Sequence, residues 1–142
     1  MVIRADAGPE IGIGHVLRAL TLGQAWREAG GQVDFVTANA TEPLITRLEK
    51  EEFFVHLLPK AHPAPEDWQG TARALTGDEN PWLVLDGYNF DAAYHERARE
   101  AGVSILVVDD MAHLDRYAVD IVLNQNAHAR SLTYEHPPET RL

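Results

Sequence analysis

Residues 81–110 read PWLVLDGYNFDAAYHERAREAGVSILVVDD, which is a strand, a helix and a second strand in succession. The runs 83–85 and 105–108 are apolar without alternation, as is typical of strands covered on both faces of a sheet. Between them, residues 91–101 have the length of one helix, and Gly102 supplies its stop. This pattern predicts two parallel strands joined by a crossover helix.

The same alternation of strands and helices extends along the rest of the chain. Strands are predicted over 2–6, 32–38, 53–58, 81–86, 104–108 and 121–123, and helices over 15–29, 42–52, 66–75 and 91–101. We therefore predict an α/β fold with a Rossmann-like, doubly wound parallel sheet of about six strands. The domain is expected to cover residues 1–136, and residues 137–142 are expected to begin a linker. Trp26, Phe35 and Trp82 lie in apolar segments and are expected in the core.

Composition excludes several classes of protein. The 142 residues include 12 basic and 22 acidic side chains, and the net charge of −10 argues against a protein that coats nucleic acid. The chain has no cysteine, which excludes disulfides and thiolate metal sites. It has neither an apolar run long enough to span a membrane nor a signal peptide, so we expect a cytoplasmic protein without membrane contact.

Polar residues follow four of the predicted strands, at the edge where parallel sheets bind their ligands. We regard five of them as candidate substrate-binding residues: Asp6, Tyr88, Asp110, Asn124 and Asn126. At any single position, a helix cap or a solvated loop residue is an equally good interpretation. The coincidence of four strand ends favours a site.

The loop from Gly8 to Gly14 joins the first strand to the first helix. Gly12 and Gly14 let a ligand approach the backbone, at the helix end that favours an anion. The loop lacks the Gly-Lys-Ser/Thr of a P-loop, and Leu17 stands where a dinucleotide fingerprint needs its third glycine. An NAD-binding domain is therefore a weak alternative.

His15 opens that helix, where the positive end of the dipole favours a neutral imidazole. This makes His15 a candidate general base for activating water or a hydroxyl group. Arg18 lies one turn later and is a candidate substrate-binding residue on the same side. The alternatives are a histidine that fills a turn and an arginine that is a solvated surface charge.

Metal and covalent chemistry have little support. No H-x-x-x-H or HExxH pattern is present, and the pair Asp109-Asp110 is as typical of a cap as of a Mg²⁺ site. There is no G-x-S-x-G elbow and no thiol nucleophile. We expect no metal and no cofactor.

Five short motifs occur in one order along the chain: Arg4-x-Asp6, Ile11-Gly12-x-Gly14-His15-x-x-Arg18, Leu85-Asp86-x-Tyr88, Val108-Asp109-Asp110 and Leu123-Asn124-x-Asn126-Ala127. The ordered set resembles the UDP-2,4-diacetamido-2,4,6-trideoxy-β-L-altropyranose hydrolases of pseudaminic acid biosynthesis. It is also similar to the SpsG-type spore-coat polysaccharide proteins. Both belong with the GT-B glycosyltransferases, near MurG, and the resemblance runs from residue 3 to about residue 134.

The resemblance implies an enzyme that releases UDP from a UDP-sugar with inversion and without a metal. It implies that His15 is the base for attack of water on the anomeric carbon and that Tyr88 lies near the sugar. It also implies the N-terminal half of a two-domain GT-B fold, whose C-terminal domain grips most of the nucleotide and would begin just after Pro137-Pro138. On that basis we expect the chain alone to be inactive or nearly so.

Two alternatives remain open from the sequence. A GT-B glycosyltransferase of polysaccharide biosynthesis would use the same base, because a base that deprotonates water also deprotonates an acceptor hydroxyl. A non-catalytic binding module would use the glycine loop to hold a phosphate or a nucleotide, or would pair with another subunit.

Overall fold

The computed structural model describes residues 1–8 and 12–142. Within these residues, six strands form one parallel sheet in the order β3-β2-β1-β4-β5-β6. Its strands are β1 (Val2–Ala5), β2 (Asp34–Thr37), β3 (Phe54–Leu57), β4 (Trp82–Asp86), β5 (Ser104–Val108) and β6 (Ile121–Leu123). The predicted doubly wound, Rossmann-like α/β fold is therefore confirmed, and each strand lies at its predicted place.

Helices cover both faces of this sheet. They are α1 (Gly14–Glu28), α2 (Glu42–Lys50), α3 (Pro65–Ala74) and α4 (Ala92–Glu100), with a 3-10 turn over Ala129–Ser131. Buried residues of α1 and α2 share one core cluster with the sheet, and α3 and α4 pack on the other face. Both faces are covered, which agrees with the uninterrupted apolar runs 83–85 of β4 and 105–108 of β5 that predicted it.

The strand order reverses between β1 and β4, which lie side by side in the middle of the sheet. Ala5 is paired with Asp86 in the register of these two strands. The residues after β1 and at the end of β4 therefore meet at one edge, where the flanking connections diverge to opposite faces. In open parallel sheets this crevice is the usual place for a ligand.

The expectation about large aromatic residues needs one correction. Phe35 is fully buried, as expected, and Trp82 is half-buried at the start of β4. Trp26 does not belong to the core, because its side chain is 40% exposed. It lies in the last turn of α1 and packs over the backbone of Gly31, where a Cβ atom would come within 2.0 Å of the indole nitrogen.

The last residues of the chain pack against the sheet. Arg141 forms a parallel bridge with Ile121 of β6, and the hydroxyl of Thr140 donates to the carbonyl of Val119 at 2.6 Å. Within the described residues, no helix is long and apolar enough to cross a membrane.

Candidate functional site

A cavity of about 680 Å³ lies at the reversal point of the sheet. Its walls come from the segments after β1, β2 and β4, the start of α1, and the segment before α3. The lining residues are Asp6, Ala7, Gly8, His15, Ala38, Asn39, Ala40, Thr41, Ala61, His62, Asp86, Gly87, Tyr88 and Asn89. A second cavity of about 670 Å³ opens at the opposite edge, where the strands begin. Parallel sheets rarely bind ligands at that edge.

His15 enters the cavity from the first turn of α1, as its place in the sequence predicted. Its Nδ1 atom lies 3.4 Å from Oδ1 of Asp86, and the imidazole is largely covered, with 13% of the side chain exposed. The ring of Tyr88 packs edge-on against it, with the ring centroids 5.2 Å apart. A carboxylate on one nitrogen leaves the other as the basic atom of a neutral imidazole.

Asp86 is the buried centre of this arrangement. Arg18 donates from Nε to Oδ2 and from Nη2 to Oδ1, both at 2.6 Å, so the carboxylate is held by a planar fork. Burial raises the pKa of Asp86, and the bonds from Arg18 offset part of that rise. The same contacts raise the pKa of Arg18, which is a permanent cation.

Asp110 continues the network on the side away from Asp86. Its Oδ2 accepts from Nη1 of Arg18 at 3.0 Å, and its Oδ1 accepts from the hydroxyl of Tyr88. Burial opposes ionisation of Asp110, but these two donors lower its pKa below the ordinary value. Burial and the neighbouring Asp110 raise the pKa of Tyr88 to about 12, so its phenol remains a neutral donor.

Asp109, unlike its neighbour Asp110, contacts the backbone of its own loop. Its side chain is fully buried and accepts from the backbone N–H groups of Met111 and Ala112, each at 2.7 Å. It also accepts from Nδ1 of His113 and from the hydroxyl of Tyr117. Although burial opposes ionisation, these donors hold the pKa of Asp109 well below its usual range. Asp109 thus shapes the loop that presents Asp110.

Asp6 lines the cavity, but its oxygens are already occupied. Arg4 donates to both of them at 2.6 and 2.7 Å, and the backbone N–H of Ala38 donates to Oδ1 at 2.7 Å. Arg4 is itself fully buried and also binds Asp67 of α3. The structure therefore places Asp6 in a buried ion cluster that links β1, β2 and α3.

The predicted glycine loop is described in part, since residues 9–11 lie outside the described residues. Gly8 and Gly12 exchange two backbone hydrogen bonds, of 3.1 and 2.7 Å. Gly12 has a φ of +70°, which favours glycine, and both Gly12 and Gly14 are exposed. Neither of them lines the cavity.

Asn124 and Asn126 belong to the loop after β6 and do not line the cavity. The amide of Asn124 donates to the hydroxyl of Tyr134 at 2.8 Å, and its oxygen accepts from the backbone N–H of Asn126 at 3.0 Å. Tyr134 in turn donates to the backbone carbonyl of Asp109 at 3.0 Å. The two asparagines therefore lie beside the Asp109 loop, one strand away from His15.

Four residues join the site that were not among the sequence candidates. Asp86 ends β4, and this position was the available signal for it. Asn39 follows β2 in the same way. Asn89 follows the end of β4, so the strand end was the available signal for it as well. His62 gave no such signal, because it lies in an irregular segment whose path depends on packing. His62 is held by its backbone N–H, which donates to Asp67 at 2.8 Å.

The charges of the cavity wall limit what it can hold. Among its described lining residues there is no lysine or arginine, and residues 9–11 contain no basic side chain either. Within the described residues, no group of three or more histidine, aspartate or glutamate side chains is arranged to hold a metal ion. The wall thus combines the carboxylates of Asp6 and Asp86, which are paired with Arg4 and Arg18, with amide, hydroxyl and imidazole groups between small apolar side chains.

No protein family, no curated protein and no solved structure matches this chain.

Proposed function

We propose that this chain is the sugar-binding domain of a nucleotide-sugar hydrolase that releases UDP from a UDP-linked diacetamido-trideoxy sugar in cell-surface sugar biosynthesis. The observation that carries the proposal is His15, whose ring lines the cavity while its Nδ1 faces the buried Asp86 at 3.4 Å. A histidine backed by a carboxylate is suited to take a proton from water. The ordered motifs that resemble those hydrolases supply the substrate class.

In the proposed reaction, a water molecule beside His15 attacks the anomeric carbon. The new bond joins the water oxygen to that carbon, and the bond from the carbon to the phosphate oxygen breaks. The proton of the water passes to His15, and UDP leaves with the electron pair. Because the base and the leaving group lie on opposite faces of the sugar, the anomeric configuration inverts.

The side chains of the cavity fit the sugar portion of such a substrate better than its diphosphate. Asn39 and Asn89 offer amide groups that can bind hydroxyl or acetamido groups, and Tyr88 offers a phenol. The wall provides no cation for the phosphates, since Arg18 is engaged by two carboxylates. We propose that groups outside this cavity hold the diphosphate.

Exposed apolar side chains support a second domain facing the same edge of the sheet, as in a GT-B arrangement. They are Ile13 (53% exposed), Leu17 (42%), Met111 (63%) and Leu123 (39%). These residues lie at the start of α1, just after β5 and at the end of β6, around the rim of the strand-end edge. Apolar patches of this kind are typical of surfaces that dock another domain.

A glycosyltransferase is the second candidate, because the cavity has room for more than a monosaccharide and His15 could equally deprotonate an acceptor hydroxyl. Comparing UDP release with and without candidate sugar acceptors separates the two functions. Acceleration by an acceptor, with a glycoside as product, favours the transferase. Release that is independent of any acceptor favours the hydrolase.

The decisive variant for the proposed function is His15→Ala. Single-turnover assays with excess protein detect slow UDP release, and we expect His15→Ala to lower the rate by roughly 10²-fold or more. His136→Ala is the matched control, since His136 lies outside the cavity. Equal, measurable rates of UDP release in the wild type and His15→Ala, with both proteins folded, contradict the role of His15. A failure of every UDP-sugar to perturb NMR signals of cavity residues contradicts the proposed substrate class.

A further inference from the structure

Arg18 was a candidate for binding substrate, yet it lies behind the wall of the cavity. His15, Asp86 and Tyr88 line the cavity, whereas Arg18 and Asp110 do not. The side chain of Arg18 is 20% exposed. Its guanidinium therefore faces the back of the residues that touch the cavity.

Three nitrogen atoms of this guanidinium are engaged within the protein. Nε and Nη2 hold the two oxygens of Asp86, each at 2.6 Å, and Nη1 holds Asp110 at 3.0 Å. Both carboxylates connect Arg18 to His15 through contacts. Asp86 does so directly through Oδ1, which it shares between Arg18 and His15, and Asp110 does so through Tyr88, whose ring packs on the imidazole.

We infer that Arg18 is a positioning residue, which acts on His15 through Asp86, and that it does not bind the phosphates of a substrate. The fork fixes the plane of the Asp86 carboxylate and turns Oδ1 toward Nδ1 of His15. The negative charge 3.4 Å from Nδ1 favours the tautomer that carries the proton on Nδ1 and leaves the lone pair on Nε2. The inference rests on the proposed function for the role of His15 as a base, and it adds which residue fixes the tautomer of that base.

Removal of Arg18 changes the charge balance at this point. Asp86 is fully buried. Without Arg18, it would lie near the carboxylate of Asp110 and would lose the cation that now pairs with both carboxylates. A buried carboxyl group in that setting takes up a proton or rotates, and it then ceases to be a fixed acceptor for Nδ1. The imidazole is released to the Nε2–H tautomer, which free histidine prefers.

The test is the tautomer of His15 in the 142-residue chain, observed by long-range proton–nitrogen NMR at about pH 8. In the wild type we expect the proton on Nδ1. In Arg18→Gln we expect the major form to move to Nε2–H. Asp110→Asn is the matched control, because it removes the negative charge beside Nη1 and leaves the fork on Asp86 in place, so the Nδ1–H form should persist.

Two results would overturn the inference. One is a wild-type chain with the proton mainly on Nε2. The other is a folded Arg18→Gln variant that keeps the Nδ1–H form. If Arg18→Gln does not fold, as judged by the dispersion of its amide signals, Asp86→Leu replaces it, because leucine offers no acceptor to Nδ1, and retention of Nδ1–H in that variant also contradicts the inference.

This measurement needs no substrate, so it fails independently of the proposed function. A tautomer that responds to Arg18→Gln in a chain that binds no UDP-sugar contradicts the hydrolase and leaves the positioning role of Arg18 intact. If UDP release depends on His15 but the tautomer is the same in the wild type and Arg18→Gln, the result supports the hydrolase and contradicts the positioning role of Arg18.

Discussion

At the scale of single residues, Arg4 shows how a buried charge is held in this fold. Its guanidinium contacts Asp6 and Asp67, and its carbon Cζ lies 5.2 Å from the centre of the Phe90 ring. Asp67 also accepts from the hydroxyl of Tyr94 at 2.8 Å. A buried ion costs several kcal/mol to desolvate, and such a cluster is tolerated because nearly every polar atom has a partner.

Asp67→Asn is expected to lower the free energy of unfolding by about 3 kcal/mol, because it leaves the positive charge of Arg4 with one buried carboxylate. Urea denaturation measures this loss. Glu66→Gln is the control, since it changes the adjacent carboxylate in the same helix, whose contact is with the exposed Lys60. Equal stabilities for the two variants would show that the cluster contributes little.

At the scale of elements, α4 carries a histidine that the fold leaves without polar partners. His95 is fully buried on this helix, and neither of its ring nitrogens has a hydrogen-bond partner within residues 1–8 and 12–142. Burial is the main cause that lowers its pKa to about 4; the charge of His113 adds to this decrease, whereas the carboxylates of Asp91 and Asp109 oppose it. The imidazole is therefore neutral in the folded protein and acts as part of the core.

This lowered pKa predicts a loss of stability in mild acid. The unfolded chain binds a proton at His95 near pH 6.5, whereas the folded chain does so near pH 4. The stabilisation is therefore complete above about pH 6.5 and is lost as the pH falls toward 4, by about 3 kcal/mol in total. Thermal unfolding between these pH values should show a smaller decrease for His95→Leu than for the wild type. Parallel curves for the two proteins would contradict the assignment.

The elements themselves were largely predictable from the sequence, and the site was less so. Apolar runs such as 105–108 and helix stops such as Gly102 are local signals in the sequence. β5 ends with the last residue of that run, and α4 ends two residues before Gly102. The exposure of Trp26 was missed because it depends on the packing of a helix end over Gly31. Likewise, a strand-end position identified Asp6 as polar, whereas its pairing with Arg4 and Asp67 depends on contacts far apart in the chain.

Asp109 and Asp110 show the same contrast between a position that the sequence predicts and contacts that it does not. Their adjacency after β5 predicted two carboxylates at the ligand edge, but not that one would turn inward. The inward turn depends on Tyr117 and on a left-handed backbone at Ala112, where φ is +53°. A conformation that is uncommon for alanine is adopted because Asp109 accepts the N–H of that residue.

At the scale of the whole molecule, the charge of −10 opposes an anionic substrate, and the cavity wall does not reverse that field. At low ionic strength the field of a protein extends over about 30 Å, and at 0.1 M salt it is screened within about 10 Å. A site that holds phosphates with lysine or arginine loses affinity as salt is added. A site that holds only the sugar, in a negatively charged protein, should instead gain affinity as salt is added.

We therefore expect the affinity of the chain for a UDP-sugar to rise about two- to threefold between roughly 0.01 and 0.15 M salt, because screening weakens the repulsion of the diphosphate. Titration followed by NMR shifts of the cavity residues measures the effect. The free sugar is the matched ligand, since it is uncharged and its affinity should not depend on salt. A UDP-sugar affinity that falls with salt, against a constant affinity for the free sugar, would place a cationic phosphate site on this chain and contradict the division of the substrate proposed above.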